Sequence, residues 1–224
     1  MSCEAKISVI IPMLNEEKFV ERAIRSVANA DEVIVVDGGS KDQSVSIARQ
    51  TGATVIESAP GRGAQLRTGA EEATGNVFLL LHADTWLDNS AIELLRTRSR
   101  TTRPFHGCFR QRIDDSRIRY RVLERGNSIR ATWLGMPYGD QAQFVDSETY
   151  HSVGGIDDVP MMEDVLLSRK LRRVSPPVLL DAPLNISVRH WNRRGVIRQT
   201  LKNWSIFAAF CLGVSPTKLA SWYR

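Results

Sequence analysis

Cysteine is scarce in this chain: Cys3, Cys108 and Cys211 are the only three among 224 residues, far apart and without any C-x-x-C spacing. That argues against a disulfide framework or a thiolate zinc site and leaves three ordinary reduced thiols. Long apolar runs are missing too. The longest candidate, Trp204 to Val214, is far shorter than the ~20 residues a helix needs to cross a bilayer. The opening MSCEAKISVIIP carries Glu4 and has neither the basic start nor the extended apolar core of a secretory signal, so a cytoplasmic protein is expected. There is no G-x-G-x-x-G and no G-x-x-x-x-G-K-[ST], which disfavours a dinucleotide fold and a P-loop ATPase. Internal repeats and Pro/Gly/Ser-rich linkers are also lacking.

What is present suits a folded domain: 42% apolar and 25% charged residues, in a chain long enough to bury a substantial core. The net charge of +5 conceals a segregation. Residues 1–95 hold 8 basic and 14 acidic groups, 96–130 hold 11 and 3, 131–188 hold 4 and 8, and 189–224 hold 7 and 0. Two basic blocks therefore frame an acidic one. Such blocks attract phosphates on a nucleotide, an anionic lipid surface or nucleic acid, although arginines also serve as plain solvated helix faces.

The first 95 residues alternate short β-branched runs with amphipathic segments. Ile7 to Pro12, Glu32 to Asp37, Thr54 to Glu57 and Val77 to His82 are predicted strands; Glu16 to Ala28, Asp42 to Thr51 and Arg62 to Thr74 are predicted helices. This rhythm implies right-handed βαβ units and a mostly parallel sheet with helices on both faces. Downstream, strands are expected at Phe105 to Ile113 and Ala142 to Asp146, with two short extended pieces at Val178 to Asp181 and Ile186 to Arg189. Helices are expected at Ser116 to Ala131, Glu163 to Val174 and Gly195 to Gly213, the last amphipathic. We divide the chain into a domain over 1–194, with halves at 1–95 and 96–194 that the resemblance given below implies to be nucleotide-binding and acceptor-binding, and a helical extension at 195–224.

In an open α/β sheet, ligands bind beyond the carboxyl ends of the strands. Those ends carry Pro12, Asn15 and Glu16, then Asp37-Gly38-Gly39-Ser40, then His82-Ala83-Asp84. A strand-end carboxylate such as Asp84, beside a second potential ligand, can present oxygen to Mg2+ or Mn2+ while diphosphate and water fill the other positions; it can equally cap the next helix. Asp37 can accept hydrogen bonds from a base or ribose next to glycines that let the backbone approach a ligand, or can simply close a strand-to-helix turn. Arg62, between two glycines at a helix start, suits phosphate or base recognition, and a solvated turn is the rival account. Glu163-Asp164 opens a helix, where acids are favoured anyway, yet a carboxylate there can also act as a general base. His190 and Trp191 combine a neutral ligand with a stacking surface before Arg193-Arg194, and a strand end packed against the core is the alternative. The loop Gly135 to Gln141 is glycine-rich, polar and aromatic and lies between the sheet and the acidic helix start, with a plain structural loop as the bland account of Asp140 and Gln141.

In this order, "SVIIPMLNEE", "VIVVDGGSKDQS", "LLLHADT" and "MEDVLLSRKLRR" resemble the family 2 glycosyltransferases of the GT-A fold, over roughly residues 5 to 195. More narrowly, "GRGAQLRTGA", "PYGDQAQFV" and "RHWNRRG" are similar to a subgroup of compact bacterial members, some associated with arsenosugar biosynthesis. The resemblance implies a metal-dependent, inverting transfer of one sugar from a nucleotide diphosphate donor, a UDP-sugar by family habit, to an acceptor hydroxyl. It implies that Pro12, Asn15, Glu16, Asp37, Gly38, Arg62 and Ala83 contact the nucleotide. It places Asp84 as principal metal ligand, with His82 standing where the family has the first acid of Asp-x-Asp; His190, from the residue reading above, is a further candidate ligand. Asp164 would be the base, with Glu163 beside it, and Asp140, Gln141 and Trp191 would face acceptor or donor sugar. The Gln-x-x-Arg-Trp motif of processive members is absent, in keeping with single-sugar transfer.

Two rivals stand beside this reading. A nucleotidyltransferase would need a glycine- and lysine-rich loop where this chain has "PMLNEEK". A non-catalytic binding protein for nucleotides or an anionic surface is motivated by the basic blocks. Nucleic acid is not expected as a partner; peripheral membrane contact through the C-terminal helix, and a homodimer packed through Trp204, Phe207 and Phe210 on one helix face, are.

Overall fold

The computed structural model describes residues 4–101, 103–186 and 196–223. Strands β1 (Ile7–Met13), β2 (Glu32–Asp37), β3 (Thr54–Glu57) and β4 (Val77–Leu80) alternate with helices α1 (Val20–Ser26), α2 (Ser44–Gln50) and α3 (Arg62–Glu72). Then come β5 (Thr85–Leu87), α4 (Ala91–Ser99), β6 (His106–Ile113), α5 (Ile118–Trp133) and a single 3-10 turn at Gly139–Gln141. The chain continues with β7 (Gln143–Asp146), α6 (Ser147–Ser152), α7 (Glu163–Leu171) and β8 (Val178–Ile186), and closes with α8 (Val196–Cys211) and α9 (Pro216–Tyr223).

All eight strands share one sheet, in the order β3-β2-β1-β4-β7-β6-β8-β5. The first four pair parallel, as the βαβ rhythm demands. Beyond β4 the sheet is mixed: β7 runs antiparallel to both β4 and β6, β8 is parallel to β6, and β5 is antiparallel to β8. Successive β1 side chains point to opposite faces. Ile7, Val9, Ile11 and Met13 join a core cluster with Val20, Ala23 and Ile24 of α1 and Ile92 and Leu95 of α4. Ile10 joins the opposite cluster with Leu66 and Ala70 of α3 and Leu167 and Leu171 of α7. Each fully buried aliphatic side chain is worth about 1.5–3 kcal/mol. A one-residue slip would push Ser8 and Pro12 into the larger core, so the register is fixed.

That register positions the site. α3 lies directly on the sheet, because a side chain on Gly69 would stand 2.4 Å from Ile10 Cγ2 and 2.9 Å from Val36 Cγ2. Close packing of this kind brings the start of α3, and with it Arg62, over the carboxyl ends of β1 and β4.

Some sequence expectations need correction. The piece expected at Val178 to Asp181 is the start of a longer strand, β8, described as far as Ile186, while the rest of the piece expected at Ile186 to Arg189 lies outside the described residues; the pairing of β8 with β6 shifts register between Phe109 and Arg110, and Arg110 then faces Pro183. A proline is tolerated at such an irregularity, and it is what makes the strand look broken in the sequence. Trp204, Phe207 and Phe210 do not form one packed face. Phe210 is buried with Ile206 four residues before it, Phe207 is half-buried, and Trp204 is 71% exposed. A spacing of three rotates about 60° per step away from a common face, so the core takes the i, i+4 pair. The three-residue β5, α4, α6 and α9 had no strong periodic signal and were not expected. α8 and α9 pack Ile206, Phe210 and Leu219 against Met136, Met162 and Val165. Among the described residues, no helix is long and apolar enough to cross a membrane.

Candidate functional site

Two clefts meet at the carboxyl end of the parallel strands. The first, about 330 Å3, is lined by Pro12 near the end of β1 and Glu16 beyond it, Gly61 and Arg62 at the start of α3, and His82, Ala83 and Asp84 after β4. Six residues that the sequence assigned to nucleotide or metal therefore line one cavity. Gln65 Nε2, buried beneath it, donates to Met13 O at 2.7 Å and Val36 O at 2.8 Å and so ties the ends of β1 and β2 together. Gly38 sits against the Gln65 side chain, within 3.1 Å of where a Cβ would be. Asp37 is buried; its Oδ2 accepts from the Gly39 and Ser40 amides, both at 3.0 Å, while Oδ1 has no hydrogen-bond partner among the described residues. Asn15 clamps the neighbouring loop: its Oδ1 accepts from Lys41 N at 2.8 Å and its amide donates to Ser40 Oγ at 2.9 Å.

The second cleft, about 210 Å3, shares Arg62 and His82 with the first and adds Tyr138, Asp140, Asp164 and the inner face of α8. Asp164 opens α7 and is held from two sides: Gly139 N donates to Oδ2 at 2.6 Å and Val165 N to Oδ1 at 2.8 Å. Gly139 is a tight position: a Cβ there would lie 3.0 Å from His82 Nε2 and 3.2 Å from Asp164 Oδ2, so either side chain would have to shift by a few tenths of an ångström. The loop carrying Gly139 is fixed from below. Gln143 Nε2 donates to Pro137 O at 2.9 Å and Ser168 Oγ at 2.7 Å, and Arg130 of α5 lies 3.3 Å over the Tyr138 ring while donating to Gln141 Oε1 at 2.9 Å. Gln141 is thus a buried structural anchor, with Nε2 unpartnered among the described residues, and Asp140 keeps a buried, unpartnered Oδ1.

Charge is arranged around Arg62. Its Nε donates to Oε1 of Glu163, which is almost wholly buried, and its Nη1 lies 3.5 Å from His82 Nε2. Burial pushes the Glu163 carboxyl up, against the pull of Arg62, and the adjacent Asp164 adds to the rise. Burial alone would lower the Arg62 guanidinium, but Glu163 and Asp164 outweigh it and hold it strongly cationic. For His82, burial and the Arg62 charge lower the imidazole despite Asp84, Asp140 and Asp164, so it is neutral at neutral pH. Tyr138 is pushed up to about 12 by burial and stays a phenol.

Among the described residues, no three His, Cys, Asp or Glu side chains gather into a complete ion site. Asp84 offers a single carboxylate beside the neutral His82 imidazole. That donor set suits a hard divalent cation completed by phosphate oxygens and water. His190 and Trp191 lie outside the described residues.

Gln65, Tyr138, Gly139 and Gln143, with Asn203, Ile206, Phe207 and Tyr223 of the C-terminal helices, are contributions that sequence reasoning missed. Tyr138 and Gly139 fall in the loop singled out in the sequence without being assigned themselves, and the C-terminal residues gave no signal for the cleft, because only the packing of α8 brings them to it.

Residues 8–156 match Glycosyl transferase family 2. An uncharacterized glycosyltransferase of Mycobacterium tuberculosis is 30% identical over 83 residues, which cover 37% of this chain and 38% of that protein. The chain thus matches about two fifths of the length of that relative. An undecaprenyl-phosphate 4-deoxy-4-formamido-L-arabinose transferase of an Enterobacter species is 23% identical over 241 residues, covering 96% of this chain and 70% of that protein. Among solved structures, glucosyl-3-phosphoglycerate synthase from Mycobacterium tuberculosis, in complex with Mn2+ and uridine-diphosphate-glucose, superposes with a TM-score of 0.59 at 20% identity over 81% of this chain and 70% of that one. TarS of S. aureus superposes with a TM-score of 0.66 at 17% identity over 81% and 60%. At such identities the likeness is one of fold, and the fold is GT-A.

Proposed function

The chain belongs to glycosyl transferase family 2, and from that premise we propose that it moves a single sugar, with inversion, from a nucleotide diphosphate donor to an acceptor hydroxyl. The observation that carries this reading is the meeting of the two clefts at Arg62 and His82: strand ends with acidic and glycine-rich turns on one side, a held carboxylate on the other. A UDP-sugar is the donor we favour. The mycobacterial synthase of the same fold, in complex with Mn2+ and UDP-glucose and with Mg2+ and UDP, supports that choice.

In this reading the base and ribose lie along Pro12, Asn15, Glu16, Asp37 and Gly38, with Asp37 Oδ1 accepting a hydrogen bond from the ligand. Asp84, with His82 and with His190, would hold a Mn2+ or Mg2+ ion, which when bound supplies positive charge to the donor diphosphate. Asp164 accepts the proton of the acceptor hydroxyl as its oxygen bonds to the anomeric carbon. The bond from that carbon to the diphosphate breaks on the opposite face, and Arg62 stabilises the departing oxygens. Glu163 holds Arg62 in place from beneath. Tyr138, Asp140 and the inner face of α8 wall the acceptor side, with Trp191 assigned there as well.

The test is calorimetric titration of UDP and GDP with Mn2+, Mg2+ or chelator, on the natural chain and on Asp84→Ala. Metal-dependent binding of one nucleotide, lost in the variant, is expected. No binding of either nucleotide under any metal condition sinks the proposal.

A further inference from the structure

Eleven large apolar side chains are exposed among the described residues, and nine of them sit in only two places. Ile118, Val122, Ile129 and Trp133 line the outer face of α5 at i, i+4, i+11 and i+15, with Leu134 directly after, at exposures of 58–86%. Leu201, Trp204 and Leu212 line the outer face of α8 and its end at 60%, 71% and 87%, and Trp222 of α9 is 48% exposed. Between Leu201 and Leu212 that outer face carries Ser205, Ala208 and Cys211 and no charge. An apolar stripe turned to water on a helix whose other face is already packed points to a partner.

These are also the two most basic stretches of the sequence. On the helices themselves the sequence of α5 has four arginines, at 119, 121, 125 and 130, against Glu124, and α8 and α9 have Arg198, Lys202 and Lys218 against no acid. Arg125 stands within the α5 stripe at i+7, and Arg119 on α5 and Lys218 on α9 are exposed beside the stripes. The C-terminal end of α5 lies near α8: Met136, just past α5, packs with Ile206 and Phe210 of α8, and Tyr138 meets Phe207 with ring centroids 5.9 Å apart.

We propose that the outer faces of α5 and α8–α9 form a docking surface for an anionic lipid bilayer. Exposed aliphatic and tryptophan side chains insert into the headgroup and acyl boundary, and the flanking cations meet lipid phosphates. Charge selects this occupant over a second copy of the chain, which would set the same positive field against itself. The aliphatic side chains select it over nucleic acid, which offers such groups no apolar seat. The surface excludes the cleft residues and requires no catalytic activity.

The test is sedimentation of the full chain with phosphatidylglycerol-containing vesicles and with phosphatidylcholine vesicles, at low and raised sodium chloride. The variants are Ile129→Ser with Trp133→Ser, and Leu201→Ser with Trp204→Ser. All four positions are exposed, so far-ultraviolet circular dichroism is expected to be unchanged. We expect binding to the anionic vesicles only, weakened by salt, and a loss of about tenfold in partition for each double variant. Absence of binding to anionic vesicles, undiminished partition of either variant, or a lipid-free dimer by light scattering that both double variants dissociate would each overturn the proposal.

Discussion

Replacing Arg62 by Met removes the cation from a nearly buried carboxylate. Glu163 has 2% of its side chain exposed and bonds directly to Arg62 Nε, so the variant leaves a charge with no counterion in the interior. Breaking a buried pair from one side costs about 3–5 kcal/mol. Arg62 itself is 40% exposed, so water reaches the orphaned group and reduces the loss to about 2–3 kcal/mol, or about 5–10 °C in Tm for a chain of this size. The loss must depend on pH. The Glu163 carboxyl is already raised by burial, and without Arg62 it rises further. A raised folded-state value means that the native state holds the proton more tightly than the unfolded chain does. The neutral acid is therefore tolerated below the ordinary carboxyl value of 4.5, and the penalty grows by about 1.4 kcal/mol per pH unit from there up to the raised value. Urea melts at pH 5 and pH 8 measure this, and the gap between natural and variant chains should be wider at pH 8. Adding Glu163→Gln to Arg62→Met removes the charge, and should restore at least half of the lost stability and flatten the pH dependence. A gap that is the same at both pH values, or that Glu163→Gln fails to narrow, refutes the reasoning.

Other outcomes follow from the same geometry. Asp164→Asn keeps an oxygen for the Gly139 amide but cannot accept the acceptor proton; transfer should fall about 10²–10⁴-fold with nucleotide affinity unchanged in calorimetry, and retention of near-natural turnover would dismiss Asp164 as the base. Gly139→Ala puts a methyl group 3.0 Å from His82 Nε2 and 3.2 Å from Asp164 Oδ2, so turnover should fall while thermal stability drops by only about 1–3 kcal/mol. His106 is buried with Nε2 2.9 Å from Ser175 O, and burial lowers its imidazole below the ordinary 6.5. The unfolded chain therefore binds a proton that the native state refuses, and stability should decline as pH drops below about 6.5, by about 1.4 kcal/mol per unit; His106→Gln should shallow that slope in acid melts.

Much of the cleft lined by Pro12, Arg62 and Asp84 was legible in the sequence, because local rules govern it. Buried parallel strands are continuous β-branched runs, their carboxyl ends are where the polar turns begin, and those turns were written as PMLNEE, DGGS and HAD. Pro12, Glu16, Arg62, His82 and Asp84 line a single cavity because each follows or precedes an element whose period the sequence declares. The second half was less legible. β5 has three residues, too few to show a period, and Pro183 interrupts the pattern of β8 although the sheet absorbs it at a register shift.

By itself, the sequence determined the run of βαβ units, the turn residues at the strand ends, the acids at the start of α7 and the pairing of apolar content with positive charge in two segments. These are properties of residues near one another in the chain, where propensity and periodicity act. Only the tertiary structure decided that Arg62 bonds Glu163, 101 positions away, that Gly139 donates to Asp164, and that α8 turns Ile206 and Phe210 inward and leaves Trp204 in water. Those outcomes depend on which surfaces are left to cover once the sheet has closed, and packing across long sequence separations, with no local signal, selects among them.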